Sequence, residues 1–347
     1  MSFEVTLAPS GKSFRVEADE PILAKGLREG ISLPYGCRMG TCCSCRGRVV
    51  SGSVDLGHAH PAYLTEEQRA HGYALLCQAT ARSDVVIEVD ELPPLAPPQI
   101  APGIIKRVER VASDVVLLQV RLPLHLNLRF AAGQYVDLLL ADGVRRSYSI
   151  ANPPRTEGVI DFEFHIRHMP GGLFTDRLFS TVKPREKIEF EGPLGSFFLR
   201  DSPKPAIMLA SGTGYAPIRS ILFDTLPKRT GRKMVLYWGA RTREDIYLFE
   251  EAAALASEYE DFTFVPVLSD ALPEENWTGR TGFVHRAVMA DYPNMAGLQV
   301  YACGAPAMVN AARSDFLSHC GLAEDDFFAD SFVTRAETLT EPGAAVA

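Results

Sequence analysis

Four cysteines are spaced so that their thiolates can bind a metal centre. Cys37, Cys42 and Cys45 are separated by four and then two residues, and Cys77 follows after 31 more. Two ferric ions bridged by two sulfides need four thiolates in one small volume, and this spacing meets that need. A zinc site built from four cysteines is the alternative, although zinc sites usually combine two short cysteine pairs. We therefore expect a [2Fe–2S] cluster at these residues.

The loop that carries these cysteines also contains two glycines and a further cysteine. Gly36 and Gly40 suit a chain that must adopt unusual backbone angles around a cluster. The sequence here resembles the plant-type ferredoxin family, which implies a small α+β domain of the β-grasp type. That family usually has a small residue, often glycine, where this chain has Cys43. We interpret Cys43 as an inert packing residue, with an oxidation-prone thiol as the alternative.

A second motif ends a strand-like segment and consists of Arg146, Ser147, Tyr148 and Ser149. A flavin needs a cation for its diphosphate, a planar slot for its ring and a polar group at N5. Arg146 can bind the phosphates, Tyr148 can pack on the ring and Ser149 can hydrogen-bond near N5. We therefore predict that this motif binds FAD and that Ser149 takes part in catalysis, whereas an ordinary half-exposed strand is the alternative.

Two neighbouring segments extend the predicted flavin site. Gly172 and Thr175 stand at the start of a helix-like stretch, where free N–H groups and a hydroxyl favour an anion. His165 and Arg167 lie in the strand before it, and we expect them to line the isoalloxazine or the pyrophosphate.

Both motifs resemble those of the ferredoxin-NADP reductase superfamily, whose flavin domain is a six-stranded barrel. The superfamily carries an R-x-Y-S motif and a later G-x-x-S/T motif, matched here at 146–149 and 172–175. It commonly has proline before a Gly-Gln pair, where this chain has Ala132, so the match departs from the pattern there.

A third motif follows an apolar strand and comprises Gly212, Thr213 and Gly214, with Pro217 three residues later. The two glycines let the backbone approach a diphosphate, and the dipole of the following helix favours its charge. Proline is tolerated in the first turn of a helix because the missing N–H would be unpaired there. This context predicts a dinucleotide loop.

The same superfamily has G-T/G-G-x-A-P at this point and a Cys-Gly pair at the end of a late strand. The resemblance implies that Cys303 and Gly304 lie beside the nicotinamide ring. We therefore assign Cys303 to the hydride-transfer site, with a buried strand cysteine as the alternative.

The residues after the second strand of the dinucleotide region include both Arg241 and Asp245. An acidic residue there binds the free ribose hydroxyl of NADH, whereas an arginine can bind the 2′-phosphate of NADPH. We expect NADH because the family members that the chain resembles use it, and NADPH stays open.

The chain length, a proline-rich segment and a change in strand and helix pattern predict how the chain divides into domains. Its 347 residues suggest two or three domains, and a proline-rich segment at 93–102 suggests a linker. Short strands of alternating polar and apolar residues precede residue 202, and after it strands alternate with helices. We therefore predict a multidomain fold with an α+β ferredoxin domain at 1–92, an antiparallel β-barrel FAD domain at 103–202, an α/β parallel-sheet NAD domain at 203–333, and a mobile tail at 334–347.

Charge and hydropathy exclude several partner classes. A net charge of −8 offers no broad basic surface for a nucleic acid. No apolar run approaches the roughly 18 residues of a membrane span, and the first residues do not resemble an export signal. We expect a cytoplasmic monomer.

The order of the three regions resembles the reductase components of multicomponent oxygenases, both Rieske-type aromatic-ring and phenol oxygenases, and the related CDP-6-deoxy-delta-3,4-glucoseen reductases. The resemblance implies that electrons pass from NADH to FAD, then to the [2Fe–2S] cluster, and singly to an acceptor protein. That acceptor is a terminal oxygenase component, or alternatively a pyridoxamine-dependent dehydrase of deoxysugar biosynthesis. The sequence does not choose between these two acceptors.

Overall fold

A computed structural model describes residues 1–59, 61, 63–140 and 143–332. The chain forms two compact units. The first contains Met1–Pro97 and the described residues 329–332, and the second contains Pro98–Phe328. The predicted tail at 334–347 lies outside the described residues.

The strands of the first unit are Ser2–Ala8 (β1), Ser13–Glu17 (β2), Arg46–Ser51 (β3), Val54–Asp55 (β4), Tyr73–Leu75 (β5), Thr80–Ala81 (β6) and Val85–Glu88 (β7). Five of them form a mixed sheet in the order β2-β1-β7-β3-β5. Strands β1 and β2 pair antiparallel, whereas β1 and β7 pair parallel. A separate two-stranded sheet joins β4 to β6.

Two helices of this unit begin at residues that suit a helix start. Helix α1 spans Ile22–Arg28 after the extended residue Pro21, and α2 spans Glu66–Ala70. Thr65 forms a capping box with Gln68, in which the Thr65 hydroxyl accepts from the Gln68 N–H and the Gln68 side chain accepts from the Thr65 N–H. This reciprocal pair of hydrogen bonds defines the start of α2.

The second unit begins with a six-stranded antiparallel sheet in the order β11-β10-β13-β8-β9-β12. Inward-facing side chains such as Val136, Phe162, Phe164 and Phe190 form its core. Its strands are Gln99–Arg110 (β8), Val115–Arg121 (β9), Tyr135–Leu139 (β10), Arg145–Ser149 (β11), Asp161–Arg167 (β12) and Lys187–Leu194 (β13).

A parallel sheet follows, in the order β17-β16-β15-β14-β18-β19. Strands β14, β15 and β18 are buried along most of their length, as expected for a sheet covered by helices on both faces. Its strands are Ala206–Ser211 (β14), Met234–Ala240 (β15), Phe262–Leu268 (β16), Arg280–Thr281 (β17), Gln299–Gly304 (β18) and Phe327–Ser331 (β19).

Helices alternate with the parallel strands, as the sequence predicts. The remaining α-helices of the described residues are Leu173–Ser180 (α3), Tyr215–Thr225 (α4), Phe249–Glu258 (α5), Val284–Asp291 (α6) and Pro306–His319 (α7). Short 3-10 turns span Gly212–Gly214, Leu226–Lys228, Pro273–Glu275 and Glu324–Asp326.

These sheets confirm the predicted fold class of a small α+β region, an antiparallel barrel and a parallel α/β region. Strand β8 begins at Gln99, so the last four residues of the predicted linker 93–102 are extended sheet. The predicted boundaries of the three domains stay predictions. Within the described part of the chain, no helix is long and apolar enough to cross a lipid bilayer.

Candidate functional site

One strand pairing brings the predicted ligand Cys77 to the loop that carries the other three cysteines. The loop ends at Arg46, where β3 begins, and Arg46 lies opposite Leu75 of β5. The Leu76 N–H then donates to the Cys45 carbonyl at 2.9 Å, which places the next residue, Cys77, beside Cys45. Cys45 and Cys77 are 2% and 8% exposed, so both thiols are withdrawn from solvent.

Donor groups point at the sulfur atoms of this loop. The Cys37 N–H donates to Cys42 Sγ at 3.4 Å, and the Met39 N–H donates to Cys37 Sγ at 3.3 Å. A hydrogen bond from Cys42, helped by Thr41, outweighs burial and lowers the pKa of the Cys37 thiol to about 5. Such donors stabilise thiolate, which is the form that ligates iron. The donor set therefore fits an iron–sulfur cluster.

Two glycines of the loop leave little room for a side chain. Gly40 has φ +80°, and a Cβ there would lie 2.9 Å from Cγ of Gln78. A Cβ on Gly36 would lie 3.3 Å from Cys42 Sγ. Gly40 thus has the unusual backbone angle that the sequence predicts, whereas Gly36 has an ordinary φ and is required only by its close approach to a thiol.

Cys43 has a backbone conformation that favours glycine. Its φ is +61°, and its thiol donates to the Tyr63 carbonyl at 3.2 Å, so the side chain is directed away from the ligand set. The left-handed conformation costs an L-residue about 1 kcal/mol. The hydrogen bond from the Cys43 thiol to the Tyr63 carbonyl offsets only part of this cost, because S–H is a weak donor.

We expect Cys43→Gly to retain the full cluster absorption and to change the free energy of unfolding by no more than about 1 kcal/mol, because relief of the left-handed strain offsets the lost hydrogen bond. Cys43→Val should be clearly less stable, since a β-branched residue is a true outlier at positive φ. Thermal unfolding with the visible spectrum checks both variants. Loss of cluster absorption in Cys43→Gly would contradict the inert role.

A carboxyl group near the end of the chain also lies against the cluster loop. The Ser44 hydroxyl donates to the Ala329 carbonyl at 3.0 Å, and a Cβ on Gly36 would lie 3.6 Å from Asp330 Oδ1. Burial and the nearby Cys37 raise the pKa of Asp330 to about 7. Sequence reasoning did not single out Asp330, because nothing local connects it with a loop almost 300 residues earlier.

The predicted flavin motif forms β11 and pairs with β10. Tyr148 lies opposite Val136, and its ring is 5.8 Å from that of Phe174, so it is packed at the edge of the barrel core. Ser149 is 6% exposed at the end of the strand. Arg146 lies on the same face of β11 as Tyr148 and is only half-buried, so its guanidinium is accessible to a phosphate.

Ser147 lies on the opposite face of β11, and its side chain is bonded to another strand of the protein. Its hydroxyl donates to Asp137 Oδ1 at 2.7 Å. Asp137 is buried and also pairs with Arg145. Ser147 therefore braces the strand, and its predicted place in the flavin site stays a prediction.

The spacing of Gly172 and Thr175 has a structural reason. The Thr175 hydroxyl donates to the Met169 carbonyl at 2.9 Å and accepts from the Met169 N–H at 3.2 Å. A Cβ on Gly172 would lie 2.6 Å from that hydroxyl, so only glycine fits there. The pair shapes the turn at the start of α3, where the first N–H groups of the helix favour an anion.

His165 is enclosed by protein groups on both sides of its ring. Nδ1 lies 2.9 Å from the Tyr247 hydroxyl, and Nε2 lies 3.4 Å from Glu163 Oε1. Burial lowers the pKa of His165. Burial alone raises the pKa of Glu163, but hydrogen bonds from His165 and Gln119 lower it to about 2. The geometry gives His165 a bracing position, and its predicted contact with the flavin stays a prediction.

Arg167 lies beside the dinucleotide loop. Its Nη1 would be 3.1 Å from a Cβ on Gly212, and its Nε is 3.1 Å from Asp114 Oδ2. Nε and Nη2 are buried atoms that make no hydrogen bond in the described structure. A guanidinium that is paired with Asp114 through Nε but has no hydrogen bond at Nη2 lies next to a glycine loop here, which fits a dinucleotide diphosphate.

The nicotinamide loop packs directly on the end of β18. A Cβ on Gly214 would lie 2.1 Å from the Cys303 carbonyl oxygen, and a Cβ on Gly304 would lie 2.3 Å from Ser211 Oγ. Thr213 lies between the two glycines of the loop, and Pro217 is in the first turn of α4. The structure thus packs the glycine loop against the Cys-Gly pair. The predicted contact of both with the nicotinamide stays a prediction.

Arg241 and Arg243, the two arginines that follow β15, each lie near an acidic side chain. Arg241 Nε lies 3.8 Å from Asp245 Oδ2, and Arg243 Nη2 donates to Glu250 Oε1 at 2.8 Å. The Asp245 carboxylate also accepts from the Thr242 N–H at 3.1 Å. Asp245 therefore orders the turn at the end of β15, where a ribose would bind.

Comparison with protein families gives three matches along the chain. Residues 5–82 match the 2Fe-2S iron-sulfur cluster binding domain, 102–199 the oxidoreductase FAD-binding domain, and 208–314 the oxidoreductase NAD-binding domain. These matches confirm the predicted cofactors and favour the [2Fe–2S] cluster over zinc. The individual binding residues stay predictions.

Known proteins are similar over almost the whole length. The CDP-6-deoxy-L-threo-D-glycero-4-hexulose-3-dehydrase reductase of Yersinia pseudotuberculosis serotype I (strain IP32953) is 40% identical, covering 96% of this chain and 99% of the relative. The phenol 2-monooxygenase reductase component DmpP of Pseudomonas sp. (strain CF600) is 36% identical, covering 98% and 97%. Both relatives are named as reductases.

A solved structure supports the same assignment. The crystal structure of the Amycolatopsis cytochrome P450 reductase GcoB has a TM-score of 0.75 and 33% sequence identity, covering 96% of this chain and 99% of that chain. The chain therefore belongs to the family of NAD-dependent reductases in which a [2Fe–2S] ferredoxin domain is joined to an FAD-binding and an NAD-binding oxidoreductase domain.

Proposed function

We propose that this reductase oxidises NADH and delivers electrons, one at a time, to a terminal oxygenase component. The observation that carries the proposal is the presence in one chain of a glycine loop packed on Cys303 and a loop of three cysteines with Cys77 placed beside it. A bound flavin would supply the conversion of a two-electron hydride into single electrons.

The residues of the second unit bind and orient the two nucleotides in this proposal. Arg146 and the start of α3 would hold the flavin diphosphate, and Ser149 would offer its hydroxyl to the flavin ring. Gly212 and Gly214 let the backbone approach the NADH diphosphate, with Arg167 as its cation. Cys303 and Gly304 border the nicotinamide, so the ring that gives up the hydride lies at the end of β18.

The residues of the first unit hold the exit carrier. Cys37, Cys42, Cys45 and Cys77 supply four thiolates, and the N–H groups directed at the sulfurs offset their negative charge. Burial of Cys45 and Cys77 keeps water from two of the ligands.

NADH is the expected electron donor. Arg243 has a close carboxylate partner in Glu250, which reduces its availability for a 2′-phosphate, whereas Arg241 is largely exposed and lies 3.8 Å from Asp245. A carboxylate at Asp245 suits a free ribose hydroxyl.

One relative favours a second acceptor. The relative from Yersinia pseudotuberculosis is named as the reductase of a deoxyhexulose dehydrase, and it is 40% identical to this chain. By that likeness, the alternative is that the protein reduces a pyridoxamine-dependent dehydrase of deoxysugar biosynthesis.

Reconstitution distinguishes the two acceptors. The purified holoprotein and NADH are combined either with the oxygenase component of a phenol 2-monooxygenase or with a CDP-6-deoxyhexulose dehydrase, and product is measured. We expect phenol hydroxylation to depend on the added reductase, with cytochrome c reduction as a measure of its general activity. Product only with the dehydrase would replace the main proposal by the alternative.

The cytoplasmic location and the monomeric state remain predictions. Gel filtration with light scattering tests the second of them.

A further inference from the structure

One arginine of α4 links the nicotinamide loop to the flavin strand. Arg219 donates from Nε and Nη2 to the two oxygens of Glu251, each at 2.8 Å. Its Nη1 donates to the Ala151 carbonyl at 3.0 Å. Ala151 comes two residues after Ser149, and Arg219 comes five residues after Gly214. A single guanidinium therefore contacts the chain close to both halves of the proposed hydride-transfer site.

A second carboxylate, that of Glu163, also lies beside the Arg219 guanidinium. Glu163 Oε1, on β12, lies 3.2 Å from Arg219 Nη1. The Ala151 N–H donates to the Glu163 carbonyl at 2.8 Å, so β12 and the end of β11 are held together at this point. Arg219 and Glu163 each have only 15% of their side chain exposed. A planar guanidinium can bind both oxygens of one carboxylate and still reach a second carboxylate and a carbonyl, whereas the three donors of a lysine ammonium cannot reproduce that bidentate geometry.

Glu251 continues the contact to the nicotinamide loop. The Tyr215 hydroxyl donates to Glu251 Oε1 at 3.1 Å. The Tyr215 ring stacks on Trp238 with centroids 4.0 Å apart, and Trp238 Nε1 donates to the Gly212 carbonyl at 3.2 Å. The loop is thus held through aromatic groups that are themselves fixed by the Arg219–Glu251 pair.

The residue after Arg219 adds a second, weaker link. The Ser220 hydroxyl donates to the Asn152 carbonyl at 2.8 Å, and Ser220 is fully buried. Adjacent residues of α4 therefore bind adjacent carbonyls, Ala151 and Asn152, immediately after the flavin strand.

We infer that Arg219 is a positioning residue for hydride transfer: it fixes the distance between the nicotinamide loop and the flavin strand by binding the Ala151 carbonyl and the Glu163 and Glu251 carboxylates together. This inference rests on the proposed function, because it uses the placement of the two rings at Ser149 and Cys303. Hydride transfer requires the reacting atoms to be held close and aligned, so a small displacement between the two elements lowers its rate steeply.

The test uses the holoprotein and the variants Arg219→Gln and Arg219→Lys. Flavin bleaching by NADH and by NADH deuterated at C4 is followed in a stopped-flow instrument. We expect Arg219→Gln to lower the maximal bleaching rate by about ten- to hundredfold and to raise the deuterium isotope effect, with little change in the NADH concentration for half-maximal rate. Arg219→Lys should recover only part of the rate.

Hydrogen exchange provides a readout that does not depend on activity. The amides of 145–152 and 212–220 should exchange faster in Arg219→Gln than in the unaltered holoprotein. Arg313→Gln is the matched control, because Arg313 is also largely buried, pairs with Glu324 and lies over the Phe327 ring, yet stands on α7. It should leave the isotope effect and those amides unchanged.

The experimental outcomes distinguish a failure of the positioning role of Arg219 from a failure of the proposed function. An unchanged bleaching rate and isotope effect in Arg219→Gln, with only a lower Tm, would overturn the positioning role. If Arg219→Gln does not fold, Ser220→Ala and Arg219→Lys carry the test, and an unchanged isotope effect in both would overturn it equally. Failure of NADH to bleach the flavin of the unaltered protein would instead refute the proposed function.

Discussion

Cys77→Ser is expected to remove the iron–sulfur absorption while the flavin is still bleached by NADH. Cys77 is the one predicted ligand outside the loop, and the pairing of Leu76 with Cys45 places it beside that loop. A serine hydroxyl is a poor substitute for a thiolate ligand to iron. The flavin and NADH residues lie in Pro98–Phe328, which is a separate compact unit, so their chemistry should be retained.

The measurement combines the visible spectrum, iron and sulfide content, and two NADH-dependent rates. Flavin bleaching should be retained in Cys77→Ser, whereas reduction of the acceptor protein should fall to background. Cys43→Ser is the matched control, since Cys43 lies in the same loop and a serine hydroxyl can keep the bond to the Tyr63 carbonyl. Acceptor reduction at the normal rate in Cys77→Ser would show that the cluster is not the exit carrier.

Gly214→Ala is expected to abolish NADH-dependent bleaching of the flavin. The added Cβ would lie 2.1 Å from the Cys303 carbonyl oxygen and 2.8 Å from Gly304 Cα, and both contacts are with backbone. Backbone cannot rotate away as a side chain can, so the loop or the end of β18 must shift. We expect a loss of about 1–3 kcal/mol or more of stability from such overpacking, and a displaced nicotinamide site.

Chemical reduction distinguishes a local from a global defect in this variant. Dithionite should still reduce the flavin of Gly214→Ala, because the barrel does not depend on this glycine. Gly231→Ala is the control: its φ is +74° and no atom lies within 4 Å of the added Cβ, so only backbone strain is introduced. Normal NADH-dependent bleaching in Gly214→Ala would mean that Gly214 does not shape the site.

The sequence predicted that the chain has a [2Fe–2S] domain, because the motif is local. Three of the predicted ligands lie within nine residues, and Cys77 comes two residues after the short strand that pairs with the end of the loop. The strand and helix order of the second unit was also predictable. Alternating polar and apolar residues indicate half-buried strands, whereas short continuous apolar runs are typical of fully buried strands. The start of α2 followed from a capping box that involves only neighbouring residues.

What the sequence could not predict depends on contacts between distant segments. Prolines at 93–102 indicated a linker, yet β8 begins at Gln99 because its partner Gly192, on β13, is supplied almost a hundred residues later. Arg219 resembled any helical arginine until the structure placed it between two carboxylates. The hydroxyl of Thr175 was expected to face an anion, whereas the structure ties it to Met169.

The contact between Ser44 and Ala329 has a consequence for biosynthesis. The two residues are 285 positions apart, so a ribosome completes the cluster loop long before the chain that packs against it exists. At about 5–20 residues per second, the interval is roughly 15 to 60 s. During that interval the Ser44 hydroxyl lacks the Ala329 carbonyl as its acceptor, and Gly36 lacks its neighbour Asp330. The cluster loop therefore acquires this part of its packing only after residues 329 and 330 have been synthesised.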